Sequence, residues 1–195
     1  MRKLIAAEFV TLDGMMSDAG DTMEWTLANF NDEMARAIAA QQAATDTILM
    51  GRVTYDIMAG YWPTEHAAEE DPGLVNHMNE TPKVIFSRTL DQAGWNNARV
   101  VGDDIEGEVR RLKALPGKDM VILGSASIVA QLANAALIDE YQLLLNPVVL
   151  GRGKPLFGDT VSQQDLKLVK AETFANGVLA LTYQPAGDVR GPEMN

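Results

Sequence analysis

Short apolar runs that alternate with helical segments constrain the fold of this chain more than any other feature. Runs of strand type cover residues 4–11, 46–50, 83–86, 99–101, 120–123 and 140–145. Helical segments are predicted between them at residues 29–44, 52–58, 103–115 and 124–136, and alternation of this kind is typical of parallel sheets. Two further strands, 166–174 and 178–183, are joined by Asn176-Gly177, a strong hairpin signal. The pattern predicts an α/β three-layer sandwich, a mainly parallel mixed sheet flanked by helices and closed by an antiparallel hairpin.

The length, the net charge and the composition of the chain exclude several classes of protein function. The 195 residues suit one domain, predicted over residues 1–185, with a loose polar tail at 186–195. A net charge of −11 argues against a nucleic-acid partner. No apolar run is long enough for a membrane span and no targeting segment is visible, so a cytoplasmic protein without a membrane partner is expected. The chain has no Cys, which excludes a thiolate nucleophile and Cys-ligated zinc.

Two predicted strands run through a glycine directly into a helix. The first is ILM-Gly51-Arg52-Val53-Thr54 and the second is VIL-Gly124-Ser125-Ala126-Ser127. A helix N-terminus offers unpaired N–H groups and a positive dipole end to an anion, and glycine lets the ligand approach the backbone closely. A third strand ends in VIF-Ser87-Arg88, which adds a hydroxyl and a guanidinium. The three strand ends together predict a phosphate-binding edge of the sheet, whereas each alone is equally explained by a turn or a helix cap.

The acidic segment at residues 65–71 is predicted to be an exposed loop, because it is polar and is followed by Pro72-Gly73. His66 and His77 are expected to be surface residues, and no metal site is predicted.

The chain resembles the dihydrofolate-reductase-like superfamily, and within it the C-terminal reductase domain of the bifunctional deaminase-reductase of riboflavin biosynthesis. The resemblance is carried by LIAAEFVTLDG from Leu4, ILMGRVTYD from Ile48, KVIFSRTL from Lys83, VILGSASIVAQL from Val121 and IDEYQLLLNPVVLGRGKPLF from Ile138. These stretches follow the family's order as far as about residue 183. The deaminase half needs an H-x-E and P-C-x-x-C arrangement that this Cys-free chain lacks, so a stand-alone reductase domain is expected.

The resemblance implies an NADPH-dependent reductase of a small heterocyclic substrate, pyrimidine-like or pteridine-like. Carried onto matching positions, it places the cofactor against residues from all three strand ends and from the first strand: Ala7, Gly51, Arg52, Thr54, Ser87, Arg88, Gly124, Ser125, Ala126 and Ser127. Ser87 and Arg88 would flank the 2′-phosphate, and the segment from Gly124 to Ser127 would hold the pyrophosphate.

The sequence defines the proton donor and the substrate contacts less closely than it defines the cofactor contacts. Asp32 and Glu33, at the start of the first long helix, and a water held near Asp13 are the candidate donors. The same two helix residues are equally explained as a solvated first turn. Trp25 could stack on a flat substrate ring, and the basic side chains of Arg152 and Lys154 could face a substrate phosphate.

Three alternatives differ from this prediction in class. A true dihydrofolate reductase would reduce dihydrofolate, a non-catalytic module would bind NADPH without a proton donor, and an interaction protein would bind no cofactor. The hairpin edge and the apolar segment 147–150 further predict a homodimer, because exposed sheet edges and apolar patches are normally covered.

Overall fold

In a computed structural model that describes residues 1–158 and 161–187, the chain forms an eight-stranded sheet covered by helices on both faces. The elements follow in chain order as β1 Leu4–Thr11, β2 Met15–Ser17, a 3-10 helix Glu24–Asn29, α1 Asp32–Ala44, β3 Thr45–Gly51, α2 Arg52–Tyr61, α3 Glu65–Glu70, α4 Pro72–Glu80, β4 Lys83–Phe86, β5 Ala98–Val101, α5 Ile105–Ala114, β6 Asp119–Leu123, α6 Ala126–Asn134, β7 Glu140–Asn146, β8 Lys154–Pro155, β9 Leu166–Thr173 and β10 Leu179–Pro185.

The sheet has the strand order β5-β4-β3-β6-β1-β7-β10-β9. The first six strands in this order are parallel, whereas β10 is antiparallel to both β7 and β9. The predicted α/β class with a C-terminal hairpin is therefore confirmed. Gly177 in the hairpin turn has a φ of +85°, a conformation that glycine adopts without steric cost.

The two faces of the sheet are packed by different helices. Side chains alternate between faces along a strand, so Leu49 of β3 packs with Ile128 of α6 while its neighbours Ile48 and Met50 pack with Tyr55 of α2. Helix α6 and helix α2 therefore lie on opposite faces of the same strand. The placement of α2 and α6 on opposite faces determines where a crevice forms at the ends of the strands.

The main correction to the sequence prediction concerns the acidic segment at residues 65–71. It forms helix α3, and α4 follows it directly. The Thr64 hydroxyl accepts a hydrogen bond from the Ala67 N–H, and the Asp71 carboxylate accepts one from the Leu74 N–H. Side-chain caps of this kind satisfy the first turns, so α3 forms where polarity alone indicated a loop, and α4 follows from Pro72, where no helix was predicted. Most of the segment is exposed, as predicted.

Smaller differences occur at element ends. The predicted helix at residues 29–44 begins at Asp32 with Asn31 as its cap, and a separate 3-10 helix precedes it. The predicted helix at residues 52–58 continues to Tyr61. A two-stranded sheet of β2 and β8 was not predicted. Of the predicted C-terminal tail, residues 188–195 lie outside the described residues.

Among the described residues, no helix is long and apolar enough to cross a membrane. An open depression of about 560 Å³ lies at the amino edge of the sheet, where it is lined by the C-terminal parts of α1 and α4, by the start of β3 and by Lys118. The strand ends that carry the predicted phosphate-binding groups are at the opposite edge.

Candidate nucleotide-binding edge

The sheet has a topological switch point between β3 and β6. From β3 the chain passes through α2 toward β4, and from β6 it passes through α6 toward β7, which lies in the opposite direction along the strand order. The two helices cover opposite faces, so their N-termini flank the crevice at the carboxyl ends of these neighbouring strands. Crevices of this kind are where open α/β sheets bind ligands.

Ser125 joins the two turns that border the crevice. Its hydroxyl oxygen accepts a hydrogen bond from the Gly51 N–H at 2.8 Å and donates to the Thr54 hydroxyl at 2.8 Å. A Cβ atom on Gly124 would lie 2.9 Å from the Thr54 Oγ1 atom, so glycine is required there for close packing of the turns. The structure thus brings together four residues that were predicted from sequence to bind the cofactor, and Thr54 rather than a ligand limits the space at Gly124.

Backbone strain marks the same turn. Gly124 has a φ of +59° and Ser125 a φ of +63°. The left-handed region costs a residue with a Cβ roughly 1–2 kcal/mol, and such strain is concentrated at ligand-binding turns. Ser125 is therefore a strained position at the border of the crevice.

The helices that flank the crevice lack side-chain caps. Helices α1, α3, α4 and α5 each begin with a side chain that accepts a hydrogen bond from their first turn. Helices α2 and α6 begin at Gly51 and Ser125 without such a bond, because glycine has no side chain and the Ser125 hydroxyl is turned toward the neighbouring turn. The first-turn N–H groups of both helices, including those of Ala126 and Ser127, therefore face the crevice edge without a side-chain acceptor, which favours an anion.

The end of β4 extends this edge. Arg52 donates to the Thr89 hydroxyl at 2.7 Å, and the Ser87 hydroxyl accepts from the N–H groups of Thr89 and Leu90. Arg88 is exposed and pairs with Asp103 at 3.3 Å. The guanidinium groups of Arg52 and Arg88 are thus associated with one strand-end loop beside the crevice.

The predicted substrate residues Arg152 and Lys154 lie elsewhere along the edge. Both are exposed, and they follow the loop that Asp13 holds against the turn after β1. Strands β4 and β1 are three strand spacings apart, about 14 Å. The four basic residues therefore form two separate pairs, one beside the crevice and one at the β1 end of the edge.

The Asp13 carboxylate is an acceptor for neighbouring groups. Its oxygens accept hydrogen bonds from the Thr11 hydroxyl at 2.6 Å and from the N–H groups of Leu150 and Gly151. The Thr11 bond, followed by the two backbone bonds, lowers the pKa of Asp13. A carboxylate with a lowered pKa is poorly suited to supplying a proton, and its contacts give it a structural role.

The other two candidate proton donors lie at the start of α1. Asp32 is exposed, and the Glu33 carboxylate accepts a hydrogen bond from the Ala175 N–H at 2.7 Å. Glu33 therefore ties α1 to the hairpin turn between β9 and β10. Trp25, in the 3-10 helix, is half-buried, and its indole N–H has no partner among the described residues.

Glu8 is a residue of this edge that the sequence prediction missed. It lies within β1 and is 5% exposed, and its Oε2 atom accepts a hydrogen bond from the Gly124 N–H at 2.9 Å. Burial raises the pKa of the Glu8 carboxyl well above its ordinary value, more than the Gly124 bond lowers it. The available signal was a single carboxylate in the otherwise apolar run LIAAEFV.

The fold and the paired strand-end turns define an α/β domain of the dihydrofolate-reductase-like class. Residues 2–180 match the RibD C-terminal domain family, and the chain belongs to that family. The chain is 35% identical over 182 residues to the uncharacterized protein YyaP of Bacillus subtilis (strain 168). The alignment covers 93% of this chain and 94% of YyaP.

Two solved structures share the fold. A Shewanella sp. PV-4 protein described as a riboflavin biosynthesis protein aligns with a TM-score of 0.76 at 21% identity, covering 95% of this chain and 99% of the other. Dihydrofolate reductase from Enterococcus faecalis, solved in complex with NADP(H) and RAB-propyl, aligns with a TM-score of 0.62 at 14% identity, covering 94% of this chain and 96% of the other.

Two substitutions distinguish the stabilising effect of the Ser125 hydrogen bonds from the energetic cost of its left-handed backbone. Ser125→Ala leaves the Gly51 N–H without its acceptor and keeps the left-handed backbone, so the free energy of unfolding should fall by about 1–2 kcal/mol. Ser125→Gly loses the same bond but relieves the backbone, so it should be about 1 kcal/mol more stable than the alanine variant. Denaturant unfolding measures both, with exposed Ser127→Ala as the control. Equal stability of the Ala and Gly variants would contradict the strained turn.

The Asp13 contacts predict a local response to acid. Because the folded-state pKa is lowered below the unfolded value of about 3.9, the stabilisation is present above that pH and is lost as the pH falls through the folded value. Amide exchange at Leu150 and Gly151 should therefore lose protection as the pH falls below about 4, beyond the intrinsic pH dependence of exchange. Asp13→Asn should lack this acid-dependent step. Protection in the native protein that stays constant over this range would be evidence against the clamp.

Proposed function

We propose that this protein is an NADPH-dependent reductase that transfers a hydride to a small heterocyclic substrate of pyrimidine or pteridine type. The observation that carries the proposal is the pair of uncapped helix N-termini that meet across the switch point between β3 and β6. Membership of the RibD C-terminal domain family supports the reaction class. The cofactor would supply the hydride, and the protein would bind and orient it.

The two turns suit the pyrophosphate of such a cofactor. First-turn N–H groups of α2 and α6 converge at Gly51 and Ser125, and a diphosphate can accept hydrogen bonds from both helices. The residues present therefore fit the phosphate part of NADPH. Arg52 lies at the same turn and adds a positive charge that an anion on this acidic chain needs.

The Ser87–Thr89 loop suits the additional phosphate that distinguishes NADPH from NADH. Arg88 is exposed and forms an ion pair with an equally exposed carboxylate, Asp103. A solvent-exposed pair of this kind is weak, so the guanidinium can exchange Asp103 for a phosphate at small cost. Ser87 and Arg88 are proposed as the groups that select the 2′-phosphate.

This selection is tested by comparing cofactors. NADPH should raise the melting temperature and should bind at least about tenfold more tightly than NADH, equivalent to about 1.4 kcal/mol. Arg88→Ala should remove most of the preference with little effect on NADH, whereas Asp103→Asn should keep or increase it. Native protein that binds the two cofactors equally would exclude the proposed role of Arg88.

Reductase activity is tested separately by following NADPH oxidation with a panel of pyrimidines, pterins and dihydrofolate. Turnover of a phosphoribosyl-linked pyrimidine would support the proposed substrate class, with Arg152 and Lys154 as candidate phosphate contacts and Trp25 as a candidate stacking surface. Turnover of dihydrofolate alone would identify a dihydrofolate reductase instead. Cofactor binding without turnover of any of them would favour the non-catalytic module.

We further propose that the protein is a homodimer. All eight residues of the edge strand β9 are exposed, among them Leu166, Leu168 and Val169. Val149, 66% exposed, lies in a segment next to the hairpin, because a Cβ atom on Gly177 would be 3.7 Å from Pro147. The edge strand and this segment would together form the dimer surface, because unpaired strand edges and exposed apolar side chains are features that oligomers bury.

A two-fold dimer through this surface should bury at least roughly 1,200 Å² in total. Val149→Glu should then give monomers or aggregates in light scattering. Ile57→Glu, which changes an equally exposed apolar residue of α2, should leave the mass unchanged. A monomeric mass for the unmutated protein at micromolar concentration would refute the dimer.

A further inference from the structure

The Glu8 side chain is only partly satisfied within the protein. Its Oε2 atom accepts the Gly124 N–H, but its Oε1 atom is buried and has no hydrogen-bond partner among the described residues. A buried polar atom without a partner costs roughly 1–3 kcal/mol. A central strand of a parallel sheet does not need a carboxyl group for its packing, so this cost points to a role outside the core.

Glu8 lies where β1 and β6 separate. The pairing of these strands ends at Ala7 with Leu123, after which the chain of β6 turns away through Gly124 and Ser125. Strand β1 continues from Glu8 to Thr11 and is paired there with β7 alone. The carboxyl group of Glu8 therefore lies buried where β1 diverges from the Gly124 turn. This divergence, called the opening below, is one strand further along the edge than the crevice between β3 and β6.

The environment of Glu8 determines which hydrogen-bonding groups it offers. No salt bridge involves Glu8 among the described residues, and a buried carboxyl group without a cation is normally neutral. Desolvation raises the pKa of Glu8 in agreement with this. A neutral carboxyl group that accepts the Gly124 N–H at one oxygen presents an O–H donor at the other, so a matching ligand must bring an acceptor such as a carbonyl oxygen.

We propose that Glu8 is a cofactor-positioning residue whose Oε1–H donates a hydrogen bond to the carboxamide carbonyl of the nicotinamide ring, in the opening between β1 and the Gly124 turn. This inference rests on the proposed binding of NADPH. The same carboxyl group holds the Gly124 N–H, so it couples the orientation of the ring to the turn that would bind the pyrophosphate. The Oε1–H group of Glu8, which has no partner within the described residues, would then gain a hydrogen bond when the cofactor binds.

Two substitutions separate this role from a purely structural one. Glu8→Gln retains a carbonyl oxygen for the Gly124 N–H and presents an N–H donor in place of Oε1–H. Glu8→Met has a similar length and offers neither group. Glu8→Gln should therefore bind NADP⁺ like the native protein, whereas Glu8→Met should bind it about tenfold more weakly.

Two ligands locate the effect on the nicotinamide ring. The first is 2′,5′-ADP, which lacks the ring and should bind all three proteins within about a factor of three, equivalent to 0.7 kcal/mol. The second is thionicotinamide-NADP⁺, whose C=S group is a weaker acceptor than C=O. The native protein and Glu8→Gln should prefer NADP⁺ over the thio analogue, and Glu8→Met should show no preference.

Calorimetric titration measures these affinities, and denaturant unfolding shows whether each variant is folded. If Glu8→Met weakens the binding of 2′,5′-ADP as much as the binding of NADP⁺, Glu8 acts only by holding the Gly124 turn and the proposal is wrong. Loss of NADP⁺ binding in Glu8→Gln, or an unchanged preference in Glu8→Met, would also overturn it. Absence of both NADP⁺ and 2′,5′-ADP binding in the native protein would instead refute the proposed function, and this inference with it.

Discussion

The hydroxyl of Ser125 is the contact on which the candidate site depends. It joins the turn after β3 to the turn after β6, because it accepts from Gly51 and donates to Thr54. As a consequence it is not available to cap α6. The interaction that aligns the two turns is therefore also the reason why the N-terminus of α6 stays open to a ligand. One side chain thus sets both the shape of the crevice and its preference for anions.

The electrostatics of the chain make this local arrangement important. A protein with a net charge of −11 repels an anionic dinucleotide at long range. Under the proposed function, binding would have to come from short-range interactions: backbone N–H groups at two helix starts, and the guanidinium groups of Arg52 and Arg88. Arg52 contacts Thr89 and Arg88 contacts Asp103, and both arginines lie at the carboxyl edge of the sheet, where the crevice is.

The strands and the crevice were predictable from sequence because their signals are local. Buried apolar runs located every strand of the parallel sheet within two residues, and glycine after two of them marked the turns that meet at Ser125. Helix α3 was missed because it is polar and largely exposed and begins with a side-chain cap at Thr64, and α4 was missed although it buries Val75 and Met78, because it is short and follows a Pro-Gly pair. The division of the basic residues into two pairs depends on strand order, which one-dimensional patterns do not contain.

The assignment of acidic residues was the least predictable part, and the two carboxyl groups near the ends of β1 show why. Asp13 and Glu8 are five positions apart, and only Asp13 was named from the sequence, as a residue that could hold a proton-donating water. The structure gives Asp13 three neighbouring donors, which lower its pKa, whereas near-complete burial raises the pKa of Glu8 more than its single donor lowers it. Environment, not residue type, distinguishes the two groups: the Asp13 carboxylate secures the loop after β7, and the Glu8 carboxyl group is buried beside Gly124. A carboxyl group retained at a buried position in a central strand is a local departure from good packing, and such departures concentrate where a protein binds its ligand.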